Sequence, residues 1–179
     1  MAQPQPSIIA LQVEKVGQLF DTLDPMPFRE RDLDRAAEEY IVSWARELPR
    51  TAPIRILIHM PAAEASADHG QMLEQAVGRY FRYRADILSK DLKELFRVGR
   101  YSLCVGLVVL AACITSGRMI VRAPWSGEFG ALLQEGLIIL GWVANWRPIE
   151  IFLYDWWPVV RHRNLLRRLA GAEIVITPR

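Results

Sequence analysis

Residues 103–117 and 129–146 are two apolar runs, and any fold for this chain has to accommodate them first. The first run has no charged side chain; the second is interrupted by Gln134 and Glu135. A short turn over 118–128, carrying Arg118, Arg122 and Glu128, joins them. A bilayer core calls for roughly twenty apolar residues per helix. Tyr101 and Ser102 lengthen the first run at one end; Met119, Ile120 and Val121 lengthen it at the other, past an Arg118 that can snorkel. The patterning predicts a transmembrane helical hairpin. The competing reading is a soluble protein with two buried core helices. A chain of 179 residues has too little other apolar surface to cover both helices on all sides. Trp125, Trp142, Trp146, Tyr154, Trp156 and Trp157 also gather at or beyond the run ends, as interfacial aromatics do.

The flanking charges set the expected orientation. Arg79, Arg82, Arg84, Lys90, Lys93, Arg97 and Arg100 precede the first run, and Arg147, Arg161, Arg163, Arg167 and Arg168 follow the second. Only Arg118 and Arg122 lie between, so both termini are expected in the cytosol and the turn outside. The N-terminus has no charged segment leading into an apolar core, so no cleavable signal peptide is read there.

The remainder of the chain alternates between strand and helix patterns. After a disordered lead (1–6), a strand from Ser7 puts Ile9, Leu11 and Val13 on one face. Asp24-Pro-Met-Pro27 forces an extended turn. A helix follows from about 29 to 47, its apolar face Leu33, Ala37, Tyr40, Ile41, Trp44 and Leu48. Glu30, Asp32 and Asp34 are expected in its first turns. A second strand presents Ile54, Ile56, Ile58 and Met60, which completes a βαβ unit with a right-handed crossover. Beyond a linker over 61–70, the stripe Leu73, Val77, Tyr80, Phe81, Leu88, Leu92, Leu95 and Phe96 marks a long helix. No proline interrupts 62–123, so this helix runs into the first span, with Gly99 the expected bend. Past Arg147 a short interfacial helix carries Ile149, Phe152, Leu153 and Trp156. Pro158 is expected to open a fresh basic helix that ends at a Gly171 C-cap. The last stretch, 172–177, reads as a strand. The lengths of the two helical arms bring it back beside the first two strands, closing a three-stranded cytosolic sheet.

The resulting fold class is membrane α+β: a two-helix transmembrane hairpin, a long juxtamembrane helix, and a small cytosolic βαβ-type sheet completed by a C-terminal strand. The segments are 1–66, a cytosolic α/β domain; 67–100, the juxtamembrane helix; and 101–122, the first span. They continue with 123–128, the external turn; 129–147, the second span; 148–171, interfacial and basic helices; and 172–179, the closing strand.

Little here points to chemistry. There is no phosphate loop, nucleophile elbow or zinc spacing. His59, His69 and His162 are scattered, and Cys104 and Cys113 read as packing residues. No catalytic residue, cofactor or metal is expected. Asp24, Asp32 and Asp34 could mimic a cation loop, but capping and turn roles explain them better. A net charge of +2 is too small to argue for nucleic acid. Glu135 stands out, roughly 12 Å deep at 1.5 Å per residue, because an intramembrane carboxylate needs a partner. Arg118, Thr115 and Gln134 are its candidate company. The cluster is read either as a polar clamp between helices or as an ion path in an oligomer, the clamp being favoured. Gly106, Ala112, Ser116, Gly117, Gly130, Gly136 and Gly141 permit close helix approach. Arg161, Arg163, Arg167 and Arg168 read as a basic face near anionic lipid.

Asp24-Pro-Met-Pro-Phe28 with Arg31-Asp-Leu-Asp34, Gly99-Arg-Tyr-Ser-Leu103 and Tyr154-Asp-Trp-Trp-Pro158 together resemble a group of uncharacterised two-span bacterial membrane proteins. The resemblance covers most of the chain and implies a bacterial cytoplasmic (inner) membrane; it carries no activity. The expected function is a non-enzymatic scaffold, assembly or interaction subunit acting through its cytosolic domain. Its expected partners are the lipid bilayer and further copies of itself or another membrane protein. The alternative is an oligomeric ion channel or transport accessory lined by Gln134 and Glu135.

Overall fold

The computed structural model describes residues 7–21, 32–49, 52–62, 65, 67–124 and 127–179. The expected lead over 1–6, the Asp24-Pro-Met-Pro27 turn, Glu30 and the interfacial Trp125 lie outside them, as does the side chain of His69. The chain is mostly helical, with two long apolar helices and a small three-stranded parallel sheet. It divides into two compact units, one of residues 1–88 with 161–179 and one of residues 89–160.

In the first unit, strand β1 (Ser7–Gln12), helix α1 (Arg35–Glu47) and strand β2 (Ile54–Met60) form the expected parallel βαβ arrangement. Strand β3 (Glu173–Pro178) pairs parallel with the other side of β2, giving the order β1-β2-β3. The closure of the sheet by the C-terminal strand is therefore borne out. Alternation in β2 is strict: Ile54, Ile56, Ile58 and Met60 are buried and the residues between them half-buried. Ile9 of β1 and Ile174 of β3 share that inner face. Ile41, Val42 and Ala45 of α1 pack against it, with Leu73, Val77 and Phe81 from the start of helix α2 (Ala67–Arg122) and Leu166 and Leu169 from helix α5 (Trp156–Leu169). Among the described residues no buried core forms on the outer face. Ile8, Ala10 and Gln12 are exposed there, while Arg55, Leu57 and His59 are half-buried. Parallel sheets are usually covered on both faces.

Several boundaries differ from the sequence reading for local reasons. β1 ends at Gln12, and Val16–Leu19 forms a 3-10 turn. α1 begins at Arg35, not near residue 29. Asp34 is its N-cap, its carboxylate accepting from Ala36 N–H at 2.9 Å and Ala37 N–H at 3.3 Å, and Leu33 is held in a bridge with Phe20. A side chain that satisfies orphan helix donors fixes the first turn. α2 starts at Ala67, where the expected juxtamembrane segment begins, and runs 56 residues without interruption, about 84 Å at 1.5 Å per residue. Its helical hydrogen bonding continues through Gly99.

The second arm is more continuous than its prolines suggest. Helix α3 (Gly127–Ala144) is followed by helix α4 (Trp146–Glu150), a π-helical turn (Ile151–Asp155) and α5. Pro158 therefore does not open a separate helix; it sits in the first turn of α5 directly after the π turn. Widened turns of this kind absorb a missing N–H and the ring of a proline. Gly171 does not adopt the left-handed C-cap conformation. Short i to i−3 bonds close the helix instead, from Gly171 N–H to Arg168 O and from Ala172 N–H to Leu169 O.

If β3 is an integral strand, Ile174→Ala should cost the sheet unit about 2–5 kcal/mol by its lost burial and the cavity left behind. Glu173→Gln, which removes only the exposed ion pair with Arg55, should cost about 1 kcal/mol or less. Denaturant titration of the two variants measures the difference.

Candidate functional site

Among the described residues no group of three His, Cys, Asp or Glu side chains is placed to hold a metal. The polar and close-packed features that do exist fall in two places, one in each unit.

The first lies between α2 and the arm α3–α4 within residues 89–160. Gly106 faces Ala144 and Asn145, Gly141 faces Leu110 and Cys113, and Gly117 faces Gln134. Sequence position rises along one helix as it falls along the other. A Cβ on Gly106 would lie 2.6 Å from Asn145 Oδ1, and one on Gly141 would lie 2.7 Å from Leu110 Cδ1. Backbones this close need residues without side chains. The buried positions are Gly99, Gly106, Cys113 and Gly117 on one side, and Gly130, Gly141, Asn145, Pro148 and Ile151 on the other, the last four spaced by three or four residues. Gly99, Gly106 and Cys113 are seven apart, the period of a supercoiled seam.

Asn145 supplies the polar tie across this seam, which the sequence reading did not single out. It is 4% exposed, and its Nδ2 donates to Gly106 O at 3.0 Å and to Gly141 O at 2.9 Å. The local backbone explains the second bond. Asn145 N–H turns to Trp142 O, which leaves Gly141 O without its usual helical donor. The side-chain amide takes that place. A polar residue in an apolar helix, four after one glycine and three before Pro148, was the available signal.

The expected cluster of Arg118, Thr115, Gln134 and Glu135 is not joined by polar contacts. Thr115 Oγ1 donates to Ala111 O and Ala112 O of its own helix. Gln134 packs against Gly117, while Arg118 and Glu135 are exposed. Neither takes part in an ion pair among the described residues. The facing of Gly117 and Gln134 also puts Glu135 within about one helical turn of the level of Arg118, near the end of α2.

The second place is on the helices of the sheet unit. Tyr80 of α2 donates its hydroxyl to Glu38 Oε2 of α1 at 2.8 Å, and Arg84 pairs with Glu38 Oε1 at 3.1 Å. Burial and the Glu38 carboxylate push the Tyr80 hydroxyl well above its ordinary range. His162 of α5 is half-buried close by. Burial, followed by the charges of Arg46 and Arg84, lowers its pKa, and Glu38 opposes them. The basic residues of α5 differ in their surroundings. Arg168 donates to Pro49 O at 2.8 Å and Ala52 O at 2.9 Å, tying down the segment after α1. Arg163 is half-buried and bonded to Asn164, whereas Arg161 and Arg167 are exposed.

No family model, curated protein or solved structure matches this chain.

Asn145→Leu removes one interhelical bond, to Gly106 O, and one bond within its own arm, to Gly141 O, and Gly106→Leu forces the backbones apart. Bonds of this class in membranes contribute about 0.6 kcal/mol on average and up to about 1.7. Gly106→Leu is therefore expected to destabilise the helix pair more than Asn145→Leu, as read by SDS titration in mixed micelles. His162 gives a pH signature. Its pKa is lowered on folding, so the unfolded chain takes up the proton first, and stability falls as pH drops below about 6.5. Chemical denaturation at pH 7 and pH 5.5 should show a loss for the native chain and a smaller loss for His162→Gln.

Proposed function

We propose that this chain is an integral protein of a bacterial cytoplasmic membrane, anchored by a transmembrane hairpin of α2 and α3 with both termini in the cytosol. Its sheet unit serves there as a non-enzymatic assembly or scaffold module. The observation that carries this reading is the exposure of the two apolar helices. Their most apolar windows are only 17% and 22% buried. Val108 is 70% exposed, Leu132 64% and Trp142 61%. Core helices of soluble proteins bury most of such surface, and monomeric soluble proteins rarely expose apolar patches of this extent. A bilayer covers it without a further protein element. The interior backbone groups of a helix are bonded within the helix, as lipid requires.

Charge supports the same arrangement. The arms before α2's apolar part and after α3 are rich in arginine, and the connection has only Arg118 and Arg122. Tyr101, Trp146, Tyr154 and Trp157 are exposed near the cytosolic ends, where amphipathic rings anchor a helix. The sequence resemblance supports a bacterial inner membrane. The assembly reading rests on the outer sheet face, where Ile8, Ala10 and Gln12 are exposed, and on a unit whose clustered polar groups hold its own helices together. Glu135 takes no part in the helix seam, which favours a surface role for it over an ion path.

Carbonate extraction followed by flotation tests insertion. The full chain should stay with the membrane at high pH and leave it only with detergent; release by carbonate would sink the hairpin. Glu135→Gln should leave ion flux through reconstituted liposomes unchanged, and a lost or altered flux would favour the conduit instead.

A further inference from the structure

The hydrogen bonds of β1 sort its residues into two sets. Ser7 N–H donates to Pro53 O at 2.9 Å and Val13 N–H to His59 O at 3.0 Å. The parallel register pairs Ser7 with Ile54 and Leu11 with Ile58. The odd-numbered residues therefore spend their N–H and C=O groups on β2, and Ile8, Ala10 and Gln12 turn theirs to the outer edge. Among the described residues the one group that reaches them is the Tyr40 hydroxyl, which donates to Ala10 O over 3.3 Å. Natural sheets blunt such edges with charge, proline or cover. The segment Ser-Ile-Ile-Ala-Leu-Gln has neither charge nor proline. The opposite edge is protected: β3 starts at charged Glu173 and ends at Pro178, which lacks a donor. Beside the unprotected edge Ile8 is 50% exposed, Tyr40 41% and Trp44 46%, the two rings being 6.0 Å apart on one side of α1.

We infer that β1 is a dimerisation edge, at which two copies of this chain pair β1 with β1 antiparallel about Ala10 to form one continuous sheet. The occupant is a second copy because the edge is self-complementary. A two-fold axis at Ala10 sets Ala10 opposite Ala10 and Ile8 opposite Gln12, so each outward N–H meets an outward C=O once the Tyr40 hydroxyl leaves Ala10 O. No charge faces a like charge, since the strand has none. Opposed residues point to the same face, so Ile9 and Leu11 of the two copies extend one apolar layer. The helices fit as well. Strands lie about 4.8 Å apart and a helix is about 10 Å across, so one helix covers two strands. The two α1 helices then lie side by side under the joined β1 strands and bury Tyr40 and Trp44 between them. An unrelated peptide would satisfy the backbone edge but leave that aromatic pair uncovered.

The inference deepens the assembly reading of the sheet unit and does not depend on membrane insertion. The test uses the full chain in detergent micelles, with protein mass measured by light scattering across a dilution series. The native chain and Tyr40→Phe should dimerise. Ala10→Lys and Ala10→Glu, changed at an exposed side chain, should each dimerise about ten-fold or more weakly alone, because like charges meet at the axis. An equimolar mixture should recover the dimer as the mixed species. A monomeric native chain, Ala10 variants that each dimerise like the native one, or a mixture of them that gains nothing would each overturn the proposal. Flotation of the same samples reports insertion separately, so an inserted but monomeric chain contradicts the edge and not the membrane reading.

Discussion

β2 is paired on both sides, and the sheet unit depends on that. Its even-numbered residues face β3 through their backbone groups and its odd-numbered ones face β1, so neither neighbour can be lost without opening a row of bonds. β3 comes from the far end of the chain. A contact this distant in sequence carries a large entropy of closure, offset by the apolar layer that Ile174, Leu166 and Leu169 complete against Ile56 and Ile58. The chain between Leu88 and Arg161 is an excursion out of that closed unit.

The excursion follows different packing physics. In the sheet unit bulky aliphatic side chains fill space between layers. Between α2 and the α3 arm the contacts are made by glycines, each set against a larger residue such as Leu110, Gln134 or Asn145. Large side chains such as Val108, Leu132 and Ile139 point away from the seam. A soluble core inverts that pattern, with large residues inside and polar ones outside. Asn145 fits the small-residue seam because its amide satisfies carbonyls on both helices.

Much of this was legible in the sequence, and the rest was hidden for physical reasons. The alternation of Ile54, Ile56, Ile58 and Met60 fixes the inner face of β2. The absence of proline between Pro61 and Pro124 marks α2 as one helix, and arm lengths bring β3 home. Prolines misled where a π turn absorbed one: Pro158 reads as a helix start only if the preceding turn is regular. Rotation about the helix separates Gln134 from Glu135. Neighbouring residues of a helix point about 100° apart, so Gln134 in the seam sends Glu135 away from it. Arg168 reads as a surface charge because sequence does not reveal that the carbonyls of Pro49 and Ala52 lie within its reach.

The central claim is that two apolar helices cross a bilayer while both chain ends stay on one side. Single cysteines placed in a chain with Cys104 and Cys113 replaced by alanine test it most directly, using a membrane-impermeant maleimide on vesicles of known sidedness. Glu128→Cys should react in right-side-out vesicles, and Gln12→Cys and Arg179→Cys only in inverted ones. Labelling of Gln12→Cys and Arg179→Cys from opposite sides, or of Glu128→Cys from the same side as both, would contradict the account.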